Sequence, residues 1–195
     1  MKPYTDYVIT PIGSRYNNSK KVGEKELILN TEISNHLYIN RKAKVLNTPL
    51  LFESPIKVGD EVIVHHNVFR RWHNIRGEEK NSRSYWKEDK YIVNPELIFL
   101  YKRKEWKAMP GYTFVRPIKD DDNFSLQTER DFIGLVEYSD GTFNKDELIG
   151  FGPYQKVEYL IDGKKLWRVK NQFIEIKYGR KRNEEEYNPS WAQSS

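Results

Sequence analysis

Three stretches of this chain recur, in the same order, in its second half. Tyr7-Val8-Ile9-Thr10-Pro11-Ile12 returns as Thr113-Phe114-Val115-Arg116-Pro117-Ile118, and Asp60-Glu61-Val62-Ile63-Val64 as Asp146-Glu147-Leu148-Ile149-Gly150. Tyr91-Ile92-Val93-Asn94-Pro95-Glu96-Leu97-Ile98 returns as Trp167-Arg168-Val169-Lys170-Asn171-Gln172-Phe173-Ile174. A repeat in fixed order constrains architecture before any strand is placed, because each copy must be a unit that folds in the same way. A chain of 195 residues holds two such units near the common domain size. The predicted organisation is one domain over 1–103, a second over 104–179, and a charged flexible tail over 180–195.

The repeated stretches are short, β-branched and aromatic, and they end at Pro, Gly, Asn or Asp. Such runs read as strands, since branched and ring side chains fit a pleated, half-buried surface. Aromatic residues are 14% of the chain, 13 of them Tyr, whose rings pack inward while the hydroxyl reaches water. Val58-Gly59-Asp60, Asp140-Gly141 and Asp162-Gly163 supply turns. No helical period stands out, so the fold class is all-β, with each copy predicted to be a small closed or nearly closed antiparallel barrel.

Charge sets limits on partners. Net charge is +5 and the pI near 9.1, which allows an anionic partner, but 33 basic residues are interspersed with 28 acidic ones. Gly179-Arg180-Lys181-Arg182-Asn183-Glu184-Glu185-Glu186 changes sign within a few residues and reads as a solvated tail. With no cysteine the chain has no disulfide and no thiolate metal site. No apolar run approaches the ~20 residues that span a bilayer, and Met1-Lys2-Pro3-Tyr4 opens no signal peptide, so a cytoplasmic protein is expected. His65, His66 and His73 suggest no metal site, because adjacent His on a strand point to opposite faces and no third ligand stands nearby. No nucleophile motif, partnered carboxylate pair or phosphate-binding glycine loop is present; the expectation is a non-enzyme without cofactor.

The copies are unequal, and the inequality points to function. Pro11 and Asp60 are separated by 48 residues, Pro117 and Asp146 by 28. The excess falls in a polar stretch, about 14–40, that contains one apolar island, Leu27-Ile28-Leu29, read either as a strand returning to the core or as an anchor offered to a partner. The first copy also carries ten extra residues between Val64 and Tyr91, in an extended hairpin at about 65–90 that holds Phe69, Arg70, Arg71, Trp72, Arg76, Arg83 and Trp86. Arginine beside tryptophan is the mixture that binds single-stranded nucleic acid, and equally that of a solvated hairpin, a roof or a subunit interface; the solvated or interface reading is preferred.

The residues resemble a known family, the GroES-type co-chaperonins. Met1-Lys2-Pro3-Tyr4-Thr5-Asp6-Tyr7-Val8-Ile9 is similar to the family's opening strand, and Lys57-Val58-Gly59-Asp60-Glu61-Val62-Ile63 to its internal turn and strand. Asp146 to Tyr154, Glu158 to Gly163, Leu166 to Val169 and Ile174 to Ile176 resemble its C-terminal half. The resemblance implies a tandem, divergent, phage-encoded lid in the host cytoplasm. Such a lid is a homo-oligomeric ring that caps a GroEL-type chaperonin ring and encloses an unfolded client. It further implies that the 14–40 loop is the binding arm, with Leu27, Ile28 and Leu29 as its anchor, and that several weak arms act together through effective concentration. The competing expectations are a virion or assembly protein that kept the barrel without chaperonin binding, and a nucleic-acid-binding barrel using the Arg/Trp hairpin.

Overall fold

The computed structural model describes residues 2–16, 19–22, 25–28, 38–120, 128–153, 155–181 and 183–193, with backbone alone over 19–22 and 25–28. The chain divides into two compact units at Glu105/Trp106. The first contains β1 (Tyr7–Pro11), β2 (Ser19–Val22), β3 (Lys25–Ile28), β4 (Lys42–Asn47), β5 (Glu61–Val64), β6 (Arg71–His73), β7 (Glu79–Asn81), β8 (Tyr85–Lys87), β9 (Lys90–Val93) and β10 (Ile98–Lys102). The second contains β11 (Trp106–Ala108), β12 (Tyr112–Lys119), β13 (Glu129–Ser139), β14 (Glu147–Phe151), β15 (Val157–Ile161), β16 (Lys164–Lys170), β17 (Ile174–Arg180) and a single helical turn, α1 (Ser190–Gln193). The protein is all-β apart from that turn and short 3-10 segments.

The two units repeat one strand order. In the first, strands run β8-β9-β1-β4-β5-β10, and in the second β15-β16-β12-β13-β14-β17. Each of the three sequence echoes falls on corresponding strands. Register is shared as well: Tyr7 faces Val93 and Ile9 faces Tyr91, as Thr113 faces Val169 and Val115 faces Trp167. Even the bulge recurs, between Val8 and Ile9 in one unit and between Phe114 and Val115 in the other. A one-residue slip would move every core side chain to the opposite face, so matching register implies matching cores. Ile9, Val45, Tyr91 and Val93 are buried in the first unit, and Val115, Val136, Trp167 and Val169 in the second. Burying each such side chain contributes about 1.5–3 kcal/mol. Among the described residues neither strand order closes on itself, so of the closed or nearly closed barrel expected for each copy the fully closed form is not adopted.

Three local expectations differ from the structure. Residues 183–193, expected as a flexible tail, run back along β12: Lys119 N–H donates to Glu185 C=O at 2.7 Å, Tyr187 N–H to Pro117 C=O at 2.9 Å, and Ala192 is fully buried. A strand residue's N–H and C=O point the same way, so Pro117 offers this edge only an acceptor. β16 pairs with β12 no further than Val115, and the terminal segment takes the vacant edge beyond it. Lys102 to Met109 reads in the sequence as a linker between the two domains, yet it contains β11, where Trp106 is buried and its Nε1–H donates to Asp162 Oδ2 at 2.8 Å. His65 and His66 are not alternating strand residues. His66 opens a 3-10 turn capped by His65, whose Nδ1 accepts from Asn67 N–H at 3.1 Å, and the two rings approach to 4.2 Å.

Candidate functional site

The features that distinguish the first copy meet in space. The long excursion leaves the sheet after Tyr16 and returns at Ile39, and these two residues form an isolated antiparallel bridge. Asn40 N–H donates to Arg15 C=O at 2.9 Å, while the Asn40 amide donates to the carbonyls of Ile12 and Ser14, both at 2.8 Å, and accepts from Lys42 N–H at 2.8 Å. One short polar side chain thus satisfies backbone groups on both sides of the neck. Tyr16, Ile39 and Asn40 are all buried, although the sequence around Tyr16 gives almost nothing to bury.

Beyond the neck, β2 and β3 pair with each other, Lys20 opposite Leu27 and Ser19 opposite Ile28, and with no other named strand. Among the described residues Leu27 and Ile28 therefore lie on a strand outside the main sheet. Leu29 and the side chains of Leu27 and Ile28 lie outside the described residues.

The Arg/Trp hairpin packs against this neck. Its strands β6 and β7 pair with Arg71 opposite Asn81 and Trp72 opposite Lys80. Arg15 Nη1 donates to Asn81 Oδ1 at 2.8 Å and Nη2 to Phe69 C=O at 3.0 Å. The same guanidinium lies 5.5 Å from the Tyr91 ring centre and 5.9 Å from that of Tyr85. Tyr16 accepts Arg71 N–H at 2.8 Å on its hydroxyl and carries the Arg71 guanidinium 4.8 Å above its ring. Beneath them Phe69, fully buried, meets Tyr91 edge to face at 4.7 Å. Burial pushes the Tyr91 phenol up to about 12, against the opposing charge of Arg15, so it presents a neutral ring to that cation at physiological pH.

The seven hairpin residues separate by role. Phe69 belongs to the core, and Arg71 is held by Tyr16 and by Glu79 at 3.0 Å. Arg70 and Trp86 are half-buried, the latter with Lys87 Nζ 4.7 Å from its ring centre. Trp72, Arg76 and Arg83 face outward, beside the fully exposed Ile75. Lys80 pairs with Glu78 at 2.9 Å, so the hairpin neutralises part of its own charge instead of presenting a continuous basic strip. Arg15, Tyr16 and Asn40 were not singled out by the sequence reading. The signal that could have found them is Tyr16 itself, the one aromatic residue between Gly13 and Lys25.

No known protein family, no curated protein and no solved structure matches this chain. Among the described residues no group of three or more His, Asp or Glu side chains is arranged to hold a metal ion, and no helix is long and apolar enough to cross a membrane.

Proposed function

We propose that this chain is a tandem-domain co-chaperonin lid of the GroES type. Copies form a ring, the arm carrying Leu27, Ile28 and Leu29 docks on a chaperonin ring, and a client polypeptide folds in the space enclosed. In this reading each unit is a small, partly open barrel, the second unit is structural, and any ATP hydrolysis belongs to the chaperonin. The observation that carries the proposal is the placement of the excursion. It interrupts one connection, between β1 and β4, in only one of two like units, and its ends are drawn together at Tyr16 and Ile39. Beyond that neck, among the described residues, β2 and β3 pair only with each other. A projecting arm on every subunit of a ring suits multivalent docking, in which weak single contacts add up to firm but reversible binding.

Mixing the protein with a GroEL-type chaperonin and ATP is expected to give a co-migrating complex, lost when Leu27→Ser and Ile28→Ser are combined. The lid reading is refuted if no complex forms with any chaperonin of the host, or if the double variant binds as the parent does.

A further inference from the structure

We propose that the insertion between Val64 and Tyr91 is a positioning clamp, which through Arg15 and Tyr16 fixes the neck of the 17–38 excursion and sets the direction in which hairpin β2–β3 leaves the first unit. The Tyr16–Ile39 bridge and the Asn40 hydrogen bonds all run between the two ends of the neck, so they tie the ends to each other and act along the axis that joins them. The insertion supplies fixed points off that axis. Arg15 reaches Phe69 C=O ahead of β6 and Asn81 at the end of β7, and Tyr16 takes Arg71 N–H at the start of β6. The aromatic wall of Tyr85 and Tyr91 closes the remaining side of the Arg15 guanidinium. Contacts at three separated residues, the backbone of Phe69 and Arg71 and the side chain of Asn81, define an orientation, not only a distance. The two insertions also occur together in one copy and are both lacking in the other, as expected if one serves the other.

What the clamp does for docking rests on the lid reading. Arms held in one direction by a rigid base reach their sites together, whereas swivelling arms lose effective concentration and must be ordered on binding. Arg15 and Tyr16 are therefore positioning residues that need not touch the chaperonin.

The test uses the full chain with Arg15→Met, which keeps stem length without the guanidinium, and separately Tyr16→Phe, which keeps the ring and removes only the acceptor. In the free protein, amide exchange at Asn40 and Arg71 is expected to quicken by about tenfold or more in each variant while the β1–β9 ladder is unchanged. Neck amides that exchange as in the parent overturn the clamp. With a GroEL-type ring and ATP, Arg15→Met is expected to weaken binding by about tenfold or more, since small losses multiply over the arms. A synthetic peptide of residues 17–38, which carries no clamp, serves as the reference for the arm's own affinity and is expected to bind the ring far more weakly than the intact lid. If Arg15→Met binds as tightly as the parent while the Leu27→Ser, Ile28→Ser variant does not bind, positioning is overturned and the lid reading stands. If the parent binds no ring, the lid reading falls and the exchange rates alone decide the clamp.

Discussion

Replacing Arg116 with Met should destabilise the second unit by about 2–4 kcal/mol, and the environment of its guanidinium gives that range. The side chain is 12% exposed and meets three carboxylates: Nε lies 3.0 Å from Glu137 Oε2, and the terminal nitrogens contact Asp146 and Glu186. The Glu137 contact is a charge pair without hydrogen-bond alignment. Burial works against the cation, yet its bond to Glu186 and the charge of Glu137 outweigh that cost and raise its pKa. On removal of the cation, Asp146 and Glu186, 50% and 37% exposed, are rehydrated, and each loss stays within the ~0–1 kcal/mol of a surface pair. Glu137, 2% exposed, has no such recourse, although Lys164 Nζ at 2.7 Å and Lys145 Nζ at 3.6 Å keep it from being orphaned. Those remaining partners place the cost at or below the lower part of the ~3–5 kcal/mol typical of a broken buried pair. Native-state amide exchange in the β12–β16 ladder is the assay, and 2–4 kcal/mol corresponds to rates about 30-fold to nearly 1,000-fold faster. Adding Glu137→Leu should then restore at least ~1 kcal/mol, because an apolar replacement for both partners avoids an underpaired buried charge. A single-variant cost under ~1 kcal/mol, or a further loss on adding Glu137→Leu, would refute the reasoning.

Acid should act on the second unit through Glu147. Lys177 at 2.9 Å and then Asn144 hold its carboxyl down from the ordinary 4.5 to about 2, so the stabilisation is present above pH 4.5 and is lost as pH falls toward 2. In Glu147→Gln this part of the acid dependence of the urea midpoint should vanish, and an unaltered slope would contradict the assignment. Gly134→Ala should cost about 1–3 kcal/mol by urea unfolding, since a Cβ there would lie 2.8 Å from Arg116 C=O, backbone that cannot yield cheaply. Ala43, which faces Pro11 as Gly134 faces Pro117, already accommodates a Cβ in the first unit, so a neutral Gly134→Ala would show that the close approach relaxes.

The core strands of both units are legible in the sequence because β patterning is local. The alternation over Trp167-Arg168-Val169-Lys170 that buries Trp167 and Val169 can be read within a few neighbours, and the repeat ties the copies together without knowledge of the fold. The neck is not legible in that way. Arg15 meets Asn81, and Tyr16 meets Arg71, across separations of 66 and 55 residues, and no local pattern marks a side chain for a partner so far along the chain. The terminal segment is similar: its alternating charges read as solvated, yet Glu185 and Glu186 find Lys119 and Arg116 on a strand edge left open where β16 ends.

The sequence by itself determined the all-β class, the two-copy organisation and the unequal lengths of the copies, since turn chemistry, side-chain alternation and repetition are properties of the chain as written. Tertiary structure alone decided that the two insertions in the first copy touch, that Leu27 and Ile28 stand on a hairpin apart from the main sheet, and that the charged terminus is a packed edge. The first and last of these depend on backbone groups left unpaired by one element and completed by another distant in sequence, and the need for such completion arises only once the sheet has formed.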